Sequence, residues 1–242
     1  MSTFEWAFDI VKLAAFVACA YAVFRAYARR GTAPWTRHRL SVLGLLTLAV
    51  VGTKVVEDVL AKESGPVDEA LLWFVREHVP AALHGFFEIV TRSGSAAFLA
   101  PAALAAVAAL LWARRRAEAW LLGSSAAGAA LLGWAVKALV GRARPALWET
   151  SWYWGSSFPS GHTLNTAAVS TAAALCVAGI WPAAGRPAMA LAVTWTALVA
   201  LSRLVLGVHW PSDVLAAFCI GAFIPLAASV AFTGRERFPS PP

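Results

Sequence analysis

The sequence predicts an all-α membrane protein with several spanning helices, and three observations support this prediction. Hydrophobic residues make up 60% of the 242 residues and charged residues only 14%, whereas soluble domains have roughly 45–50% and about 25%. Long stretches with few charges recur along the chain, and about 20 apolar residues are enough to cross the hydrocarbon core as a helix. The remaining charges gather mainly in the connections between these stretches.

Apolar stretches that predict spanning helices occur at seven places in the chain. They cover about 8–28, 39–60, 95–113, 117–140, 163–181, 188–206 and 214–233. The first contains Asp9, Lys12 and Arg25, and its length and polar start argue against a signal peptide. We expect a single domain, 1–242, whose motif-bearing core covers about 95–233.

Residues 66–92 depart from the spanning pattern. Apolar residues recur there at helical spacing, at Val67, Leu71 and Phe74, and acids including Asp68 lie between them. This periodicity predicts an amphipathic helix with one wet face, and a proline midway begins a second short helix. We expect both helices to lie in the outer membrane interface rather than to span it.

The net charge of +7 is distributed in a way that predicts topology rather than nucleic-acid binding. Arginines cluster in alternate connections: Arg29, Arg30, Arg37 and Arg39, then Arg114, Arg115 and Arg116, then Arg186, then Arg235 and Arg237. Most acids fall in the others: Glu57, Asp58, Glu63, Asp68, Glu69, Glu77, Glu88 and Glu149. By the positive-inside rule the arginine-rich side is cytoplasmic. Seven spans then place the N-terminus outside and the C-terminus inside.

Three polar clusters stand at the predicted outer ends of the last four spans. They are Lys137 with Arg142, Arg144 and Pro145; Ser160, Gly161 and His162; and Ser202, Arg203, His209 and Asp213. Charged residues at membrane depth are costly and mark functional sites. The topology derived from arginine counts alone places all three clusters on one side, which is the observation that points most directly to a shared site.

Residues from all three clusters have the chemistry of an anion pocket. Lys137, Arg144 and Arg203 supply three cations, and the guanidinium fork matches phosphate oxygens. Ser160 and Gly161 come just before an apolar run, so the N–H groups of a helix start would face the same anion. Taken singly, Lys137 and Arg144 also fit cations that snorkel to the interface.

The remaining site residues suggest phosphoryl transfer. Asp213 lies four residues after His209, close enough to hold one ring nitrogen and leave the other as a nucleophile. His162 then remains as a proton donor to a leaving oxygen. Alternatively, Asp213 is only a helix cap and His209 an interfacial histidine. A zinc site from His162, His209 and Asp213 is disfavoured, because three cations beside it would oppose a metal dication.

The three motifs together resemble the signature of the type-2 phosphatidic acid phosphatase family, the lipid phosphate phosphatases. The motifs are "KALVGRARP", "PSGH" and "SRLVLGVHWPSD", and they occur in the family's order and with its internal spacing. The resemblance implies six spanning helices, one fewer than counted here, and an outward-facing site that needs no metal or other cofactor. It implies phosphate-binding roles for Lys137, Arg144, Ser160, Gly161 and Arg203, and the roles given above for His209, Asp213 and His162.

The resemblance implies a bacterial enzyme of the inner membrane that dephosphorylates a lipid phosphate or pyrophosphate at the periplasmic face. The head group stays open among undecaprenyl pyrophosphate, phosphatidic acid, phosphatidylglycerophosphate and lipid A phosphate. A phosphotransferase that uses an acceptor alcohol shares the chemistry up to phosphohistidine. A lipid transporter would need the cations but not the two histidines. Arg142 has no role in the signature, and pairing with Glu149 is one interpretation.

Overall fold

The structure is a computed structural model of the chain, and it describes residues 39–150 and 155–235. Eight α-helices make up this part of the chain: α1 (Arg39–Leu60), α2 (Gly65–His78), α3 (His84–Ser93), α4 (Ala96–Trp112), α5 (Arg116–Val140), α6 (Gly161–Ile180), α7 (Gly185–Val205) and α8 (Pro211–Arg235). Single turns of 3-10 helix precede α3 and α7, at Ala81–Leu83 and Pro182–Ala184. No strand occurs within these ranges, so the all-α prediction is confirmed.

In the part of the chain that the structure describes, fewer helices can span a membrane than the sequence predicted there. In the described ranges, four are long and apolar enough: Arg116–Val140, Gly161–Ile180, Pro182–Val205 and Pro211–Val230. A fifth results if Ala81–Ser93 and Ala96–Trp112, bent by 43° at their junction, form one broken span. The predicted stretch 39–60 is helical as α1, but three charged residues, Lys54, Glu57 and Asp58, lie near its end. The stretch 8–28 lies outside the described residues.

Helix α6 lies at the centre of the bundle and packs against α5, α7 and α8. Small residues allow these close approaches, as is common between membrane helices. A Cβ at Gly221 of α8 would collide with the backbone oxygen of Leu164 on α6, and Ala168 and Ala217 are fully buried between the same two helices. The ends of α5 to α8 that carry the three polar clusters are thereby held around one point.

The segment 66–92 forms two short helices, α2 and α3, as its periodicity predicted. Three residues of the predicted wet face of α2, Glu69, Arg76 and Glu77, are exposed, but the prediction is wrong for Asp68. Asp68 is only 2% exposed, and Leu71 and Phe74 on the predicted apolar face are 47% and 56% exposed. The reason is that Asp68 points into the protein toward polar partners near the start of α8. The apolar side of α2 therefore faces outward.

Candidate active site

Histidine 209 and Asp213 form a buried pair at the junction of α7 and α8. The His209 Nδ1 atom lies 3.4 Å from Asp213 Oδ2, and the same oxygen accepts a hydrogen bond from the Trp210 backbone N–H at 2.9 Å. The two side chains are 2% and 0% exposed. Asp213 thus both caps α8 and holds the imidazole by one nitrogen, so the two interpretations of this residue are compatible.

The other nitrogen of His209 faces Arg144. The Arg144 Nη1 atom lies 3.2 Å from His209 Nε2 and donates to the Val208 carbonyl at 2.8 Å. Because a guanidinium can only donate, Nε2 is the ring nitrogen with the lone pair, and Nδ1 carries the proton toward Asp213. The nucleophilic nitrogen of the predicted pair is therefore directed at an arginine that suits phosphate.

Two further cations converge on this point from different helices. Arg203, near the end of α7, is 1% exposed and donates from Nη1 to Thr91 Oγ1 of α3 at 2.6 Å. Lys137, in the last turn of α5, donates from Nζ to the Ser156 carbonyl at 2.6 Å. Lys137 lies within electrostatic range of both Arg144 and Arg203. Cations held this close together call for an anion between them.

The start of α6 forms another wall. Ser160 is the fully buried N-cap residue, and Gly161 and His162 begin the helix. The first N–H groups of a helix have no partner within the helix and carry its positive end. His162 lines a cavity of about 350 Å³ together with Thr91, Arg92 and other residues of α3 and the α7–α8 connection. It is within electrostatic range of His209, Arg144, Arg203 and Lys137.

The electrostatics of the pocket keep His209 neutral at physiological pH. Burial lowers the pKa of His209 to about 4, and the charges of Arg203 and Arg144 lower it too, although Asp213 acts in the opposite direction. A neutral imidazole has the free electron pair that a nucleophile needs. The protonated form is therefore present only in acid.

The structure thus brings together all eight residues singled out for the site: Lys137, Arg144, Ser160, Gly161, His162, Arg203, His209 and Asp213. It also adds residues that sequence reasoning missed. Thr91 accepts a hydrogen bond from Arg203 and positions it. Asp68 of α2 accepts a hydrogen bond from Arg142. The interpretation that Arg142 pairs with Glu149 is wrong, because its two terminal nitrogens bind Asp213 and Asp68 at 2.7 Å each.

Within residues 39–150 and 155–235, no group of three or more His, Cys, Asp or Glu side chains is arranged to hold a metal ion.

The loop that carries His209 depends on Gly207, which leads to a prediction. Gly207 has φ of +67°, and a Cβ there would lie 2.6 Å from Trp148 Nε1. We expect Gly207→Ala to lower the melting temperature by about 5 °C, since left-handed strain alone costs about 1–2 kcal/mol. Gly85→Ala is the control, because a Cβ at Gly85 meets nothing within 4 Å. Equal melting temperatures in detergent micelles would contradict this role.

The fold and the pocket define an α-helical integral membrane protein with a cationic, histidine-containing site for an anionic group. A family model described as the PAP2 superfamily matches residues 117–237. This range contains all eight pocket residues that the sequence predicted. The chain belongs to the PAP2 superfamily, a family of lipid phosphate phosphatases. The predicted resemblance is thereby confirmed.

Similar proteins agree with this assignment. Phosphatidylglycerophosphatase B of Escherichia coli (strain K12) is 41% identical over 66 residues, which cover 27% of this chain. The chain spans only about a quarter of that relative, 25% of its length. Decaprenylphosphoryl-5-phosphoribose phosphatase of Mycobacterium tuberculosis (strain ATCC 25618 / H37Rv) is 36% identical over 138 residues, 55% of this chain and 72% of the relative.

Two solved structures share the fold. The transmembrane PAP2-type phosphatidylglycerolphosphate phosphatase from Bacillus subtilis superposes with a TM-score of 0.73 at 23% identity, covering 81% of this chain and 98% of that one. LpxE of Aquifex aeolicus superposes with a TM-score of 0.54 at 20% identity, covering 66% of this chain and 93% of that one.

Proposed function

We propose that the protein dephosphorylates a membrane lipid phosphate or pyrophosphate through a phosphohistidine intermediate and without a metal ion. The observation that carries this proposal is the orientation of His209. One ring nitrogen is held by Asp213 and the other faces the Arg144 guanidinium. A histidine that is held by one ring nitrogen, and whose other ring nitrogen faces a group of cations, is suited to attack phosphorus.

The proposed reaction has two steps. His209 Nε2 attacks phosphorus, the bond to the leaving oxygen breaks, and protonated His162 gives that oxygen a proton and becomes neutral. Water then attacks the phosphorus of phosphohistidine, giving its proton to His162, and inorganic phosphate leaves with His209 restored. Asp213 stabilises the positive imidazole ring of the intermediate, and Lys137, Arg144, Arg203 and the start of α6 stabilise the phosphoryl oxygens.

A groove beside the pocket supports a lipid substrate. It has a volume of about 320 Å³ and runs between α4, α5 and α6, lined almost entirely by Ala, Leu, Val and Gly. Ser95 lines the polar cavity and its neighbour Ala96 lines the groove. On α6, His162 faces the cavity, and Asn165 and Val169 on the same helix face line the groove. The head group in the cavity would thus have its tail beside it in the groove.

Filling the groove should weaken binding of long tails only. We expect Ala127→Phe, a lining position, to raise KM for a long-chain lipid phosphate about 10-fold. That change corresponds to roughly two displaced methylenes at about 0.8 kcal/mol each. A short-chain phosphate soluble in water should be unaffected. Ala105→Phe, an exposed residue of α4 outside the lining, is the control. An equal effect on short and long chains would exclude the groove as the tail site.

We propose that the site faces the periplasm of a bacterial cell, with the protein in the inner membrane. In a variant lacking the native cysteines, a cysteine at position 149 should react with an impermeant thiol reagent in intact spheroplasts. A cysteine at position 115, in place of the middle one of three consecutive arginines, should react only after the membrane is permeabilised. The opposite labelling pattern would place the site in the cytoplasm.

Phosphate release by the purified protein tests the proposed function. The panel contains phosphatidic acid, phosphatidylglycerophosphate, lipid A phosphate and undecaprenyl pyrophosphate, each with and without an added acceptor alcohol. The names of the two relatives make phosphatidylglycerophosphate and a prenyl-linked phosphate the first to assay. We expect turnover that withstands chelators and is inhibited by vanadate. Activity lost in chelator and restored by zinc or magnesium would refute the metal-free mechanism.

A further inference from the structure

A chain of buried ionic contacts links helix α2 to the His209–Asp213 pair. Arg142 Nη1 donates to Asp213 Oδ1 at 2.7 Å, and Arg142 Nη2 donates to Asp68 Oδ2 at 2.7 Å. Asp68 also accepts from the backbone N–H and the hydroxyl of Ser212, at 2.7 and 2.6 Å. Arg142 Nη2 and Ser64 Oγ lie 3.1 Å apart. Every one of these side chains is largely or fully buried.

This arrangement divides the two oxygens of Asp213 between two tasks. Oδ2 faces His209 and the Trp210 N–H, while Oδ1 binds Arg142. An arginine bound to Asp213 alone would compete with the imidazole for the carboxylate charge. Asp68 binds the opposite side of the same guanidinium and offsets that competition. Asp68, Arg142 and Asp213 together carry a net charge of about −1, which lies beside His209.

We propose that Asp68 and Arg142 are positioning residues that set the orientation and the net charge of the carboxylate behind His209. This inference rests on the proposed function, in which His209 becomes positively charged when it is phosphorylated. A net negative group behind the ring stabilises that charge. A fully neutralised Asp213 would stabilise it less, and an Asp213 without Arg142 would lose its fixed orientation.

The proposal predicts opposite electrostatic effects for two substitutions. Arg142→Gln changes the net charge of the group from about −1 to about −2 and should raise the pKa of His209 by about one pH unit. Asp68→Asn, which keeps the shape of the side chain, changes the net charge to zero and should lower that pKa. The double variant restores a net charge of −1, so its His209 should titrate near the wild-type value.

The other charged groups near His209 are unchanged in all these variants. They are Lys137 of α5, Arg144 before α6, His162 of α6, Arg203 of α7, and Glu88 and Arg92 of α3. Glu69→Gln is the matched control, because it removes the same charge from the next residue of α2, which is exposed. This control should leave the titration of His209 unchanged.

The experiment is an NMR titration of the protein labelled with 13C at histidine, in detergent micelles, with the His209 resonance assigned through His209→Gln. Because no substrate is needed, the titration tests the network even if wild-type protein released no phosphate from any lipid.

In parallel, kcat/KM should fall at least about 10-fold in each single variant and recover in part in the double variant. If Arg142→Gln does not fold, Arg142→Lys and Asp68→Asn remain, and the lysine variant should titrate as the wild type does. Shifts in the same direction for both single variants, or none, would overturn the proposal.

Discussion

Alanine in place of His209 is expected to abolish turnover of every substrate, with a loss of at least about 10⁴-fold in kcat. The reason is that no covalent intermediate can form without the ring nitrogen that faces Arg144. Wild-type protein quenched during turnover in alkaline detergent, in which the P–N bond of phosphohistidine is stable, should hold phosphate, and the variant should hold none. His78→Ala is the control, since His78 is exposed on α2 and its Nδ1 binds the Phe74 carbonyl of its own helix.

The loss in His162→Ala should depend on the leaving group. General acid catalysis contributes about 10²- to 10⁴-fold, and an alkoxide leaving from a monoester needs a proton more than a phosphate leaving from a pyrophosphate does. The variant should therefore lose more activity on a lipid monophosphate than on a pyrophosphate with the same tail. Phosphate trapped on His162, or found on the protein when His209 is alanine, would reverse the two roles.

Lysine in place of Arg144 or Arg203 is expected to lower activity as well. Each substitution keeps the charge and loses the planar fork. We expect kcat/KM to fall at least about 10-fold, which corresponds to about 1.4 kcal/mol of transition-state binding. Arg203 should be the more sensitive position, because it is 1% exposed and its fork also binds Thr91.

The control for both arginines is Arg115→Lys, at the opposite end of α5, where Arg115 pairs with Glu118 on the surface. It should leave kcat/KM unchanged. If Arg144→Lys and Arg203→Lys both had wild-type activity, these arginines would not be the groups that bind the phosphoryl oxygens.

The parts of the site that sequence could predict are those with an unusual residue for their setting. Lys137, His162 and Asp213 are polar residues at the ends of apolar helices, where neither packing nor lipid contact requires them. A topology derived from arginine counts was enough to place them at one end of the bundle, and the structure does bring them together. The helices themselves followed from their length and apolar composition.

The contributions of α2 and α3 could not be predicted in this way. Asp68 lies among acids of similar appearance, and its partners, Arg142 and Ser212, are 74 and 144 residues away in the chain. A periodic pattern shows that a helix has two faces but does not show which face meets protein when the surroundings are lipid. Threonine is not an unusual residue in such a helix. The role of Thr91 is visible only in the structure, where its hydroxyl accepts a hydrogen bond from the buried guanidinium of Arg203.

If the groove between α4, α5 and α6 holds the lipid tail as proposed, the substrate reaches the site by diffusion within the plane of the membrane. Ala96, Ala100 and Leu104 line it and are exposed on the outside of the bundle, so a lipid can enter sideways without leaving the bilayer. The quantity that saturates such an enzyme is the mole fraction of substrate in the surface, not its bulk concentration. Diluting a lipid substrate with neutral detergent at constant total substrate should therefore slow the reaction, as surface dilution kinetics describes.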